Sequence, residues 1–567
     1  MPDETYIVSG ASLSATADAI RAKGGTSAAI EYGSNGFAAA VAALPSGGGG
    51  GGTYQAKTGI NPTTSSQTIT PDTGYDALSS VQINAIPSQY IVPTGNIAIT
   101  QNGNNIDVAQ YATASVNVSG SSAPDPSKPV KFIDYDGTLL YSYTAAELQV
   151  LTALPANPSH TGLTAQGWNY TLAQAKAQVT AIGEAVIGQN YVTSDDKTRI
   201  YCHFEEGTLA PYLGICPKGT VTVDWGDNSS TDTLTGTSES TVKNVQHTYA
   251  AVGDYVITLT AASGTTFAFY GNSTNWSYIL RKGTTTTLGK YQSNAYRSAI
   301  YKIELGSSAH IGQYAFYYCY NLISITIPSE LTSVALSNTF YYCCNLVGIV
   351  LPKNSTTIGA SSFYYCYRLE SISINPDTIS LGGSAFRYCG SLKTIVLSSG
   401  TTTLGTYQFA NCPALESIII PSGVTSISDS MLYYCYSLKK VTLLCNVKNI
   451  TGSSFHSCYS LRNIIIPSTV ESIGTSTFNL CYSFSVVTVP SKVTSIGTNA
   501  FYNCYAVAEY HMLPTAPPTL TNANTFTGIS SDCIIYVPYS EDHSVLNAYK
   551  TASIWTNWAT QMQEEPQ

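Results

Sequence analysis

The sequence predicts a mainly β, multidomain chain whose C-terminal half is a solenoid of about nine 23-residue coils. β spacer modules, including a small sandwich, precede it, with a short helical segment at the N-terminus. Three observations carry this. Cysteines recur at 319, 343, 366, 389, 412, 435, 458, 481 and 504, a spacing of 24 and then 23 seven times. Charged residues are only 10% of the chain, so its polar surface must be built from Ser, Thr, Asn, Gln and Tyr, which suit exposed β structure. Finally, 567 residues are too many for one hydrophobic core.

The repeat is the clearest element. Three residues before each cysteine stands Phe316, Phe340, Phe363, Phe386, Phe409, Leu432, Phe455, Phe478 or Phe501. Three residues after stands a leucine from Leu322 to Leu461, then Phe484 and Val507. An aliphatic residue recurs eight places before, except in the 24-residue second coil, where Val334 is shifted by one. A coil of this size cannot bury its apolar side alone, so stacking must align these positions into interior columns. Each coil has a short strand such as Ile418-Ile419-Ile420, ended by Pro421, which has no N–H for the ladder. The unit C-x-x-L-x-x-I-x-I-P-x-x-V-T-x-I-G-x-x-A-F-x-x-C resembles the BspA-type leucine-rich repeats of bacterial adhesins and phage proteins. Cys533 to Pro538, followed by a helix expected over 542–562, resembles the cap that closes such arrays, so 514–567 is read as a cap.

Toward the N-terminus the elements weaken. Leu13, Ala17 and Ile20, then Phe37, Val41 and Leu44, have helical spacing, so 1–46 reads as a small helical attachment segment. Six glycines at 47–52 form a linker. Residues 53–128 hold two strand-forming stretches, one ending Ser80-Val81-Gln82-Ile83, which resemble β-repeat modules of phage tail proteins. Residues 129–215 read as an α+β connector, with a strand pair in 130–140, a helix over 171–180 and a strand over 198–204. Residues 216–282 read as a sandwich. Their Trp225-Gly226-Asp227 and His247-Thr248-Tyr249 resemble the polycystic-kidney-disease type of immunoglobulin-like domain, a spacer in which Trp225 and Tyr249 would be core; Asn228 stands where that family has glycine. The repeats then occupy 283–513.

The net charge of −9 argues against nucleic acid as a partner. No apolar run is long enough to cross a membrane, so no membrane insertion is expected. The fourteen cysteines lack C-x-x-C spacing for zinc, and a core column of free thiols is expected, with no metal and no cofactor. Phe132-Ile133-Asp134-Tyr135-Asp136-Gly137-Thr138 resembles the first motif of haloacid-dehalogenase phosphatases, whose acidic pair Asp195-Asp196 could mimic. No βαβ series lies between, and an Asp-Gly hairpin turn is the plainer reading. Asp224, Asp227 and Asp232 lack calcium-loop spacing and read as turn caps. No catalytic residues are assigned.

Binding is read from the 42 tyrosines. Tyr317, Tyr318, Tyr320, Tyr341, Tyr342, Tyr364, Tyr365, Tyr367, Tyr433, Tyr434, Tyr436, Tyr459, Tyr482 and Tyr505 flank the periodic cysteines. Neighbours of an inward cysteine are expected to point outward or sideways, giving broad amphipathic columns comparable to an antibody paratope. The expected function is a non-enzymatic virion protein of a phage tail, a fibre or receptor-binding protein made in the host cytoplasm. It would contact a host-cell surface glycan or protein through the solenoid and other tail proteins through its N-terminus, as a homo-oligomer such as a trimer. The alternatives are a BspA-like adhesin on the extracellular bacterial surface and a phage head decoration protein.

Overall fold

The computed structural model describes residues 124–283, 293–331 and 336–567, and the backbone of strands Thr5–Val8, Gln67–Ile69 and Ser80–Ile83. Those three strands form one sheet with Ser80–Ile83 in the centre, in a unit distinct from residues 126–567. Ser80–Ile83 is the strand expected there. Thr5–Val8 is extended at the start of the segment expected to be helical, while the two helices, the glycine linker and Val334 lie outside the described residues.

The solenoid is built as its columns require. The periodic cysteines are fully buried, as are the phenylalanines and leucines beside them. Counting coils by their cysteines, Cys319 to Cys504, a strand follows the cysteine in every coil but those of Cys389 and Cys458, and these strands stack in parallel, for example Ser417 on Lys440 and Val486 on Glu509. A second, shorter parallel ladder runs through Ile358, Leu381 and Leu404, and again through Ile450, Ile473, Ile496 and Leu520. Phe316, Phe340, Phe363, Phe386 and Phe409 stack with centroids 5.3–5.7 Å apart. The column resumes after Leu432 and ends on Phe526 and Trp555.

The cap differs from its expectation. Its helix spans only Ser544–Thr551, a 3-10 turn Trp555–Gln561 follows, and Met562–Glu564 adds a last parallel rung to the strand Ile534–Val537. Ile554 at φ +70 breaks the helix and turns Trp555 and Trp558 onto the end of the phenylalanine column.

The N-terminal end is closed differently. Strand Thr198–Phe204 pairs with Ile300–Glu304, which pairs with the first coil's Ser324–Thr326; Thr266–Phe269 pairs with Ala309–Ile311. The strands expected to form a separate sandwich therefore share one sheet and one core with the solenoid. The boundary expected at residue 215 falls inside the strand Tyr212–Asp224. Trp225 and Tyr249 are buried there, with the Tyr249 hydroxyl donating to the Trp225 carbonyl at 3.0 Å. This element is an N-terminal cap rather than a spacer: it occupies the sheet edge that the first coil would otherwise expose.

Residues 129–193 form a four-stranded sheet ordered Leu139–Tyr143, Val130–Ile133, Ala185–Thr193, Leu163–Trp168. The helix Leu172–Ile182, capped by Thr171 and stopped by Gly183 in the left-handed region, covers one face over Phe132 and Ile187. The other face lies on the strands of the solenoid. Asn190 Nδ2 donates to the Ile327 carbonyl at 3.1 Å and Asn169 Nδ2 to Leu351 at 2.9 Å. The Tyr170 hydroxyl reaches Ile374 and Gln178 Nε2 reaches Leu397, each at 2.8 Å. One donor therefore serves the equivalent carbonyl of each of the first four coils. Gly188 is required by close approach, since a Cβ there would sit 2.4 Å from the Val350 side chain. Among the described residues no helix is long and apolar enough to cross a membrane.

Candidate recognition surface

The turn segment before each cysteine is not a strand. Two residues per coil take positive φ, five places and one place before the cysteine: Tyr314 and Tyr318, Asn338 and Tyr342, Ser361 and Tyr365, through Asn499 and Asn503. Such conformations cost about 1 kcal/mol or more each outside glycine. Hydrogen bonds between coils hold them: Tyr318 N donates to Tyr341 O, and Tyr342 N to Tyr364 O, both at 2.8 Å.

This backbone sorts the tyrosines into three columns. The column one place before the cysteine runs Trp276, Tyr318, Tyr342, Tyr365, Tyr388, with centroids 4.2–4.8 Å apart. The column two places before runs Tyr317, Tyr341, Tyr364 at 4.5 and 4.7 Å. Arg387 extends this second column, its guanidinium 5.9 Å from the Tyr364 ring and 4.5 Å from Tyr407. Tyr433 and Tyr434 form a later pair packed on His456. The third column, one place after the cysteine, contains Tyr320, Cys344, Tyr367, Gly390 and Pro413, then Tyr436, Tyr459, Tyr482 and Tyr505 without interruption. These last four stack at 4.8, 4.8 and 5.4 Å.

Exposure separates the columns. Tyr317 is only 8% exposed, and Tyr318, Tyr341, Tyr342, Tyr364 and Tyr365 are half-buried. Tyr367 and Tyr505 are 57% and 54% exposed, and Tyr436 and Tyr482 are also exposed. Burial pushes the Tyr341 phenol up to about 12 and raises Tyr436 and Tyr482 as well, so all three stay neutral hydroxyls at physiological pH. Ring pairs this close leave no room for a sugar, which needs about 3.5–4 Å on each side of it. The ledge from Tyr436 to Tyr505 therefore offers ring edges and a row of hydroxyls. Sequence reasoning named these residues but not this division, because alternation along a strand does not apply to consecutive turns.

The other candidate sites resolve into structure. Asp134 and Asp136 belong to a hairpin turn: Asp136 accepts from Thr138 N at 2.9 Å, and Asp134, buried, pairs with His160 Nε2 at 2.7 Å. The turn presses Gly137, at φ +92, against Gly348 and Ser371 of the solenoid. Asp195 pairs with Arg199 and Asp196 caps the 307–308 turn. Asp224 and Asp227 cap turns, and Asp232 accepts from the Trp225 indole at 2.8 Å. Among the described residues no group of three or more His, Cys, Asp or Glu side chains is placed to hold a metal ion.

The cysteines do more than fill space. Each periodic thiol from Cys343 to Cys504 donates to the carbonyl of the residue three places before the preceding coil's cysteine, at 3.0–3.3 Å, as Cys412 does to Phe386. Read as small hydrophobes, they gave no sign of this bond.

The family model for the BspA type leucine-rich repeat region matches residues 260–337, 336–462, 379–508 and 448–544, which together cover half of the chain. The chain belongs to that family. Among solved structures, this BspA-type chain is similar to a leucine-rich repeat protein of T. pallidum, at 27% identity over 28% of this chain and 77% of that one, with a TM-score of 0.27. It is also similar to one from Bacteroides ovatus, at 20% identity over 52% and 97%, TM-score 0.30. A leucine-rich cell surface protein of Faecalibacterium prausnitzii matches at 21% identity over 50% and 96%, TM-score 0.28. Among curated proteins no match is found.

Proposed function

We propose that this BspA-type protein is a non-enzymatic surface adhesin, whose solenoid attaches to a glycan on a cell surface through the Tyr436–Tyr505 ledge. The observation that carries the reading is the row of four mutually stacked tyrosines, of which Tyr436, Tyr482 and Tyr505 are exposed and Tyr459 is half-buried between its neighbours. Their hydroxyls repeat at the coil spacing, and their rings are fixed in place by one another before any ligand arrives. Holding the rings in advance lowers the entropy cost of binding, and phenol hydroxyls suit a polyhydroxylated polymer. Placement on a phage tail is the second reading. It rests on the low-charge β-repeat sequence of residues 53–120, and it makes the N-terminal unit the attachment point to the virion.

Adsorption of the purified full chain to cells, with and without periodate oxidation of surface sugars, tests the binding claim. Loss after periodate supports a glycan; loss only after protease treatment overturns it in favour of a protein ligand. Antibody labelling of intact cells against virions separates the two placements.

A further inference from the structure

The connector covers the strand face of coils 1 to 4, and its hydrogen bonds to that face end at Leu397 and Ser399. The same face continues through coils 5 to 9 and onto the cap strand Ile534–Val537, counted here as coil 10, with a different surface. Ile465 is 86% exposed, and Leu444, Val486 and Leu513 are exposed around it. Pro467 and Pro490 have no N–H to give to the Leu443 and Ile466 carbonyls of the preceding coils, whereas Leu444 N and Leu513 N donate to Ile420 O and Val489 O at 3.0 and 2.9 Å. Among the described residues no strand is assigned on this face in coil 7, at 463–466, where its neighbours have Lys440–Leu443 and Val486–Val489.

One column of this face reads the same in both directions about the midpoint of coils 7 and 8, and a second ends in opposite charges there. One column is Leu444, Pro467, Pro490, Leu513, and the next is Lys440, Asn463, Val486, Glu509. Between them run Ile419, Thr442, Ile465, Thr488, His511 and Tyr536, whose ends are both apolar. A two-fold axis lying along the strands between coils 7 and 8 turns the face over, reverses coil order and keeps each column opposite itself. Leu444 then meets Leu513, Ile419 meets Tyr536, and Lys440 meets Glu509.

We infer that a second copy of this chain docks here, antiparallel, with Ile465 at the centre and two Lys440–Glu509 pairs at the rim. An isologous contact requires such self-complementarity, and a face built for an unlike partner has no reason to carry opposite charges at symmetric positions. Six coils span only about 29 Å, so the contact is smaller than a standard interface and the dimer is expected to be weak, in the micromolar range. The inference is independent of the ligand reading.

Sedimentation equilibrium of the full chain, with zero-length carbodiimide cross-linking of a mixture of isotopically light and heavy protein, tests it. Lys440 and Glu509 lie three coils apart, about 14 Å within one chain, beyond the reach of a direct amide link. A mixed light–heavy Lys440–Glu509 cross-link is expected. Lys440→Glu and Glu509→Lys should each weaken self-association at least tenfold, and the double variant should restore it. Ile465→Lys should abolish the cross-link while circular dichroism is unchanged. The inference is overturned by a monomer at every concentration, by a trimer, by an oligomer that yields no such cross-link, or by a double variant no better than the single ones.

Discussion

Replacing Cys412 with aspartate puts the interior column to its hardest test. The thiol is fully buried in the middle of the array, between Cys389 and Cys435, and donates to the Phe386 carbonyl at 3.0 Å. A carboxylate there has no donor to meet and faces a carbonyl oxygen. At neutral pH the cost is about 3–5 kcal/mol, the range for a buried charge without a partner. Part of it can be relieved by proton uptake, which raises the folded-state pKa above the unfolded value of about 3.9. The sign follows: the folded state binds the extra proton, so the penalty grows as pH rises above about 4 and shrinks as pH falls toward it. What remains at low pH is the lost thiol bond and changed shape, about 1 kcal/mol. Cys412→Ala should cost about 1–2 kcal/mol with no such pH dependence. Because repeat arrays unfold in pieces, hydrogen exchange is a better gauge than a single midpoint. The amides to follow are Phe386 and Phe409, which bond across coils to Gln408 and Met431. Unchanged exchange in Cys412→Asp at neutral pH, or a penalty of equal size at pH 4.5, would refute the reasoning.

Three further outcomes are expected. His511 touches Glu565 at 2.7 Å and Glu509 at 3.2 Å. Although burial opposes the charged ring, these carboxylates outweigh it and hold the pKa above its ordinary value. The stabilisation is therefore complete below about pH 6.5 and lost as pH rises through the folded pKa, so protection of the terminal rung Met562–Glu564 should fall over that window in the native protein and lose its pH dependence in His511→Gln. Asn169→Leu removes the bonds to Leu351, Ser373 and Gly188, leaving buried groups unpaired at about 1–3 kcal/mol, and limited proteolysis should then cut residues 129–193 first. Tyr317→Ala, by contrast with changes on the ledge, should lower stability by about 2–4 kcal/mol without altering adsorption, since its ring is buried between Trp276 and Tyr341.

The parts of the fold that were legible in the sequence are those written many times. A period of 23 residues repeated through Cys504 leaves one way to stack Phe, Cys, Leu and Ile, and the interior columns follow from it. The connector helix was legible from its start at Thr171, although it runs on past the expected end at 180 to Ile182, where Gly183 stops it. The docking of that connector was not, because it depends on single donors, Asn169, Tyr170, Gln178 and Asn190, each matched to a carbonyl more than a hundred residues away. No periodicity announces such a contact. The tyrosines were legible as a group but not as columns. Their directions are set by the positive-φ residues one and five places before each cysteine, and Tyr, Asn, Ser and Leu at those places give no glycine signal. The N-terminal sandwich failed as a separate module for a related reason: its strands looked self-sufficient, and only the edge of the first coil shows why they are shared.

Hydroxyl-radical footprinting of the full chain on intact cells tests the central claim most directly, because it reports which side chains a bound surface covers. The account predicts that oxidation of Tyr436, Tyr482 and Tyr505 falls several-fold on binding, while Tyr539, equally exposed but in the cap, reacts as before. Unchanged oxidation of the three ledge tyrosines, with protection appearing on residues 129–193 or on Tyr539, would contradict it.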